Sequence, residues 1–77
     1  MDTITAIREM MDAKGLSKRK IGIALGKSQT YINGIIYRGS VPKADTLSAI
    51  ADACDYDLLM RSRADGTEII IDPPNSD

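Results

Sequence analysis

Histidine, phenylalanine and tryptophan are absent from this 77-residue chain, and cysteine occurs once, as Cys54. Without histidine and with a single thiol, the chain has no Cys/His zinc site and no intrachain disulfide. It also lacks the nucleophile–base pair of covalent catalysis, so an enzyme is not expected. Cys54 follows Leu47, Ile50 and Ala51 at helical spacing, the pattern of a small buried thiol rather than a reactive one. Three tyrosines are the only aromatic residues, too few for a base-stacking platform on single-stranded nucleic acid. No stretch approaches the roughly 18 apolar residues that cross a bilayer, and no basic leader precedes an apolar run. A reduced, cytoplasmic setting away from membranes is expected. A single domain of this size buries only about 60% of its unfolded surface. That leaves a marginal core that dimerisation would help stabilise and no room for an enclosed site, so neither a cofactor nor a small-molecule ligand is expected.

The most informative absence is local. From Ala13 to Ala44 there is no acidic residue, and seven of the ten basic residues lie there: Lys14, Lys18, Arg19, Lys20, Lys27, Arg38 and Lys43. The overall charge of −1 therefore conceals a segment of +7 beside flanks of −8, which hold three bases and all eleven acids. Charge separated this sharply in one small domain points to a face that meets a polyanion.

What is present reads as short helices. Asp2 or Thr3 can cap a first helix with Ile4, Ile7, Met10 and Met11 on one stripe, ending at Lys14-Gly15. Ser17 is an N-cap for a second helix, Lys18 to Leu25, with Ile21 and Leu25 as its inward pair. Gly26 makes the turn. Ser28 is expected to cap a third helix, Gln29 to Tyr37, that buries Ile32 and Ile35. Arg38-Gly39-Ser40 breaks it, and Pro42 keeps the linker out of helix. A fourth helix, Ala44 to Ala53, buries Leu47, Ile50, Ala51 and Cys54.

The period then changes. Residues 56–63 and 67–72 are short runs around Ala64-Asp65-Gly66, and Asp-Gly between strand-like segments signals a hairpin. With Asp65 and Gly66 as the turn, Arg63 faces Glu68, Arg61 faces Ile70 and Met60 faces Ile71. Leu58, Met60, Ile69 and Ile71 then share one face. A fifth helix through Leu58-Leu59-Met60 is the alternative; the β-branched Glu68-Ile-Ile-Ile-Asp72 favours strands. Residues 73–77 should form a frayed tail.

The stretch Leu16-Ser-Lys-Arg-Lys-Ile-Gly-Ile-Ala-Leu-Gly26-Lys-Ser-Gln-Thr-Tyr-Ile-Asn-Gly-Ile-Ile36 resembles the helix-turn-helix of lambda-repressor-like and Cro-like proteins of the XRE type. Arg38-Gly39, Pro42 and Thr46-Leu47-x-x-Ile50-Ala51 are similar to that family's linker and fourth helix. The spacing of Ile21, Gly22, Leu25, Gly26, Ile32 and Ile35 carries the likeness. Together with the hairpin it implies a mainly α fold: four helices of the lambda-repressor type followed by a C-terminal β-hairpin. Residues 1–55 would form the DNA-binding part, with the helix-turn-helix at about 17–37. Residues 56–72 would form a hairpin belonging to the same domain.

The residues supply physical reasons for such a role. Two helices joined by a short turn cross steeply, so the crossing needs a small residue, and Gly22 is one. On the third helix Gln29, Thr30, Asn33, Gly34 and Tyr37 share a face opposite Ile32 and Ile35, and that face bears no charge. Gln or Asn can bond adenine through two hydrogen bonds, and Thr can meet bases or a thymine methyl. The resemblance implies base contacts for Gln29, Thr30 and Asn33. It also implies phosphate contacts among Ser17, Lys18, Arg19, Lys27, Ser28, Arg38 and Lys43, and Tyr37 can donate to a phosphate at the groove edge. A lysine at position 18 favours phosphate or a guanine edge. Cro-like proteins commonly dimerise through a C-terminal strand, which nominates Leu58, Met60, Ile69, Ile70 and Ile71. Three features depart from the family pattern: Lys27 stands at a usually apolar position, Gly34 lies inside the recognition helix, and Ile23 should be exposed.

These readings converge on a sequence-specific regulator of double-stranded DNA. It is expected to be a homodimer of phage, prophage or mobile-element type, acting by occupying a pseudo-palindromic operator and most simply blocking polymerase. The competing class is a protein-binding module on the same fold, either an antitoxin or an inhibitor of a nucleic-acid enzyme. A stoichiometric protein partner without bound DNA would mark it.

Overall fold

The computed structural model describes residues 1–74, and its helices begin and end on side chains suited to the purpose. Asp2 caps α1 (Thr3–Lys14): its Oδ1 accepts the Thr5 N–H at 2.8 Å, which holds its carboxyl below the usual aspartate range. At the other end Gly15 turns left-handed at φ 65°. Its N–H bonds the Asp12 carbonyl, and the Leu16 N–H bonds that of Met11. These two bonds satisfy carbonyls left open by the last turn. Ser17 caps α2 (Lys18–Ala24) by accepting the Lys20 N–H at 3.1 Å. Then follow α3 (Tyr31–Arg38), α4 (Ala44–Ala53) and a two-stranded antiparallel sheet of β1 (Leu58–Arg61) and β2 (Glu68–Ile71). The mainly helical fold with a C-terminal hairpin is thus the one the sequence implies, and no fifth helix forms among the described residues.

The core draws on every helix. Ile7 and Met11 of α1, Ile21 of α2, Ile32, Ile35 and Ile36 of α3, and Ile50 and Ala51 of α4 are buried together with Cys54. Each buried isoleucine contributes about 1.5–3 kcal/mol through removal of apolar surface from water. Cys54 is fully enclosed, and burial pushes its thiol pKa up, as befits an unreactive packing group. Leu25 and Leu47, expected inside, lie half-buried at the rim of this cluster.

Three helix boundaries differ from expectation, the least of them the end of α3, at Arg38 rather than Tyr37. α2 closes at Ala24, with Leu25 as its cap. α3 begins at Tyr31 rather than Gln29, and the Ser28 side chain does not cap it. The Ser28 hydroxyl instead lies 3.3 Å from that of Thr30, and its backbone carbonyl accepts the Tyr31 N–H at 3.2 Å. Local hydroxyl bonding competes with the cap, so Gln29 and Thr30 occupy a turn that leads into the helix.

The hairpin register is shifted by two residues from the expected one. Leu58 pairs with Ile71, Leu59 with Ile70, Met60 with Ile69 and Arg61 with Glu68. The cause is the loop. Asp65 Oδ1 accepts both the N–H and the hydroxyl of Thr67, at 3.0 and 2.7 Å, which draws Asp65 into an Asx turn and lowers its pKa. The loop becomes four residues, 63–66, closed by the Ser62 N–H on the Thr67 carbonyl at 2.8 Å, with Gly66 left-handed at φ 78°. Strand side chains alternate with period two. Leu58, Met60, Ile69 and Ile71 therefore still share a face, and Arg61 instead of Arg63 meets Glu68, at 3.1 Å. Ile70 falls on the opposite face, so the five residues nominated for dimerisation are not coplanar.

A buried hydroxyl fastens this hairpin to the helices. Ser48 of α4 is 2% exposed and donates to the Ile71 carbonyl at 2.9 Å. Replacing Ser48 by Ala should cost about 1–2 kcal/mol. Urea unfolding measures the loss, and amide exchange should accelerate more in β2 than in α1.

Candidate nucleic-acid interface

The unit formed by α2, its turn and α3 depends on a missing side chain. A Cβ on Gly22 would run into the Ser28 carbonyl oxygen, and the Tyr31 Cβ lies close behind. The Gly22 carbonyl itself accepts the Lys27 N–H at 2.9 Å. Gly26 takes φ 71°, a conformation that L side chains resist. Ile21, Ile32 and Ile35 fill the angle between the helices, as the spacing predicts.

This packing leaves the opposite surface open. Gln29, Thr30, Asn33 and Tyr37 are all exposed, Tyr37 to 88%. Gly34 is bare except for Arg38, whose guanidinium folds back one turn to lie over it; a Cβ on Gly34 would sit 3.0 Å from Arg38 Nη1. Arg38 thereby joins the edge of the uncharged surface. The Lys18 ammonium donates to Asn33 Oδ1 at 3.3 Å, which links the start of α2 to the middle of the exposed face. Lys27 lies over the Tyr31 ring, 5.7 Å from its centroid. Ser17 spends its acceptor on the α2 cap but keeps a hydroxyl proton to donate. Ile23 is exposed, as expected.

Electrostatically the surface is uncompensated. The ion pairs among the described residues are Lys14 with Asp55 and Arg61 with Glu68. None involves Lys18, Arg19, Lys20, Lys27, Arg38 or Lys43. Lys14 is the exception within the basic segment: its ammonium is 3.6 Å from the Asp55 carboxylate and 5.3 Å from the centre of the Tyr56 ring, facing the end of α4. Asp45 and Asp52 of α4 line a groove with Lys27, so the basic surface ends there. Among the described residues no group of His, Cys, Asp or Glu is placed to hold a metal ion, and no helix is long and apolar enough to cross a membrane.

Sequence reasoning missed two of these contacts. The Lys18–Asn33 bond spans fifteen residues, and spacing on either helix alone carries no trace of it. The Arg38 fold-back follows an i, i+4 relation to Gly34 and was legible in principle.

A family model described as helix-turn-helix matches residues 7–59, more than half of the chain. The chain belongs to that family. It is a DNA-binding transcription regulator of the XRE, lambda-repressor-like type, and its partner is double-stranded DNA. No curated protein and no solved structure matches it. Within this helix-turn-helix domain Gly34 is the conspicuous weak point, since glycine inside a helix costs about 1 kcal/mol relative to alanine. Gly34→Ala meets only the flexible end of an exposed arginine. It should raise stability by about 1 kcal/mol in urea unfolding.

Proposed function

We propose that this chain binds a specific pseudo-palindromic operator as a homodimer and regulates transcription by occupying it. The observation that carries the reading is the uncharged, amide- and hydroxyl-bearing surface of Gln29, Thr30, Asn33 and Tyr37, bordered by cations that have no acidic partner among the described residues. In this reading Gln29, Thr30 and Asn33 meet base edges in the major groove. Ser17, Lys18, Arg19, Lys27, Ser28, Tyr37, Arg38 and Lys43 then hold the register through the backbone. The placement of Gln29 and Thr30 in the entry turn supports their leading role, because residues at the start of a recognition helix reach deepest into the groove.

The dimer reading rests on the hairpin. Met60, Ile69 and Ile70 are 58%, 62% and 52% exposed, and each strand of the two-stranded sheet has one unpaired edge. Exposed edges of this kind are normally covered or charged; a second copy of the same hairpin would cover either an edge or the face that Met60 and Ile69 share, with Ile70 on the other face. Residues 1–55 are then the DNA-binding part and residues 56–72 the pairing element. Two-fold symmetry places the half-sites about 34 Å apart, or a multiple of it.

Gln29→Ala should cost about 1–3 kcal/mol and relax preference at one base pair. Arg19→Ala should weaken all sequences alike and reduce the salt slope by about one. Mobility shifts on an operator selected from random duplexes, at several salt concentrations, measure both. An unchanged base preference in the Gln29 variant removes that residue from the reading role. For the dimer, Ile69→Lys should shift sedimentation from dimer to monomer while leaving the helical circular dichroism intact; a wild-type monomer at all concentrations, with and without operator, defeats it.

A further inference from the structure

Lys18 and Asn33 supply more than a phosphate contact and an adenine contact side by side. Lys18 is the first residue of α2 and Asn33 the third of α3, and both are exposed. Their bond, Nζ to Oδ1 at 3.3 Å, has only one chemical sense. An ammonium has three donors and no acceptor, so it can meet only the oxygen of the Asn33 amide. The choice of partner is informative as well. Asp12 lines the same shallow cleft as Lys18, beside Arg8, Met11 and Ile36, yet the ammonium is bonded to the neutral amide.

That bond changes what Asn33 can read. An asparagine that selects adenine uses its oxygen for the N6 amino group and its own amino group for N7. Here the ammonium takes one of the two lone pairs of that oxygen, and its positive charge disfavours a second donor there such as the adenine N6 amino group. The groups left for the groove are then chiefly donors: two protons on the Asn33 amide nitrogen and two on the Lys18 ammonium. Among the major-groove edges, only guanine offers two acceptors, N7 and O6, and no donor. We infer that Lys18 and Asn33 act as one unit that selects guanine, with Lys18 both contacting the base edge and holding the Asn33 amide in its donor orientation. This deepens the function proposed above and rests on it.

The test is selection of bound sites from random duplex DNA by the wild type, Lys18→Met and Asn33→Ala. Both side chains are exposed, and unchanged thermal melting of the variants verifies that they fold. The wild type should show a guanine in each half-site, preferred by about fivefold to a hundredfold. In Lys18→Met the freed amide should turn that position toward adenine, and Asn33→Ala should weaken its guanine preference, with the other positions unchanged. A wild-type consensus with no guanine responding to either variant, or a Lys18→Met protein weakened equally on every sequence, overturns the inference and leaves the operator-binding reading standing. A wild type that retains no duplex above background overturns both.

Discussion

The contact of the Ser28 carbonyl with the bare Cα of Gly22 governs the rest of the molecule. It sets how steeply α3 crosses α2, and the crossing decides which side chains are enclosed and which are presented. With Ile21, Ile32 and Ile35 filling the angle, the polar residues of α3 have nowhere to go but outward. Gly26 then completes the turn with a backbone conformation that costs little only in glycine. A close-packed interior resists one added methyl group, so this geometry has little tolerance. The exposed surface inherits its order from the packing beneath.

Charge works at longer range and with less precision. The cations from Lys18 to Lys43, unpaired among the described residues, supply sequence-independent attraction to a polyanion, screened beyond about 8–10 Å at ordinary salt. The two acids of α4, Asp45 and Asp52, limit that attraction on the side where they share a groove with Lys27. Lys14, alone in the basic segment, is drawn to Asp55 and Tyr56 and serves the junction of α1 with the end of α4. Such a distribution orients an approaching duplex, and in the proposed reading the neutral surface between the cations discriminates among sequences.

Most of the helical architecture was legible because each boundary has its own local chemistry. Asp2, Ser17, Gly15 and Gly39 act within a turn of where they stand, and Ile7, Ile21, Ile32 and Ile50 repeat with helical period. The departures have a common origin in side-chain bonds that compete with backbone patterns. Ser28 turned to the Thr30 hydroxyl and moved the start of α3; Asp65 turned to Thr67 and moved the hairpin register by two residues. An even shift preserves the faces, so the apolar grouping of Leu58, Met60, Ile69 and Ile71 survived a wrong pairing. Contacts between distant segments were invisible for a different reason. Neither Ser48 with Ile71 nor Lys18 with Asn33 leaves a periodic mark in the chain, although the residue types on the exposed face were readable from helical geometry alone.

The attachment of the hairpin has a mechanical consequence. The bond from the Ser48 hydroxyl to the Ile71 carbonyl and the packing of α4 against β1 connect the sheet to the helix. In an assembly joined through its hairpins, that narrow junction is the bearing about which each protomer swivels. A stiff bearing admits one separation between the paired reading heads, whereas a loose one lets the same two heads settle on sites of unequal length. In such an assembly, tolerance for operator geometry would be decided some distance from any base, at the underside of a strand.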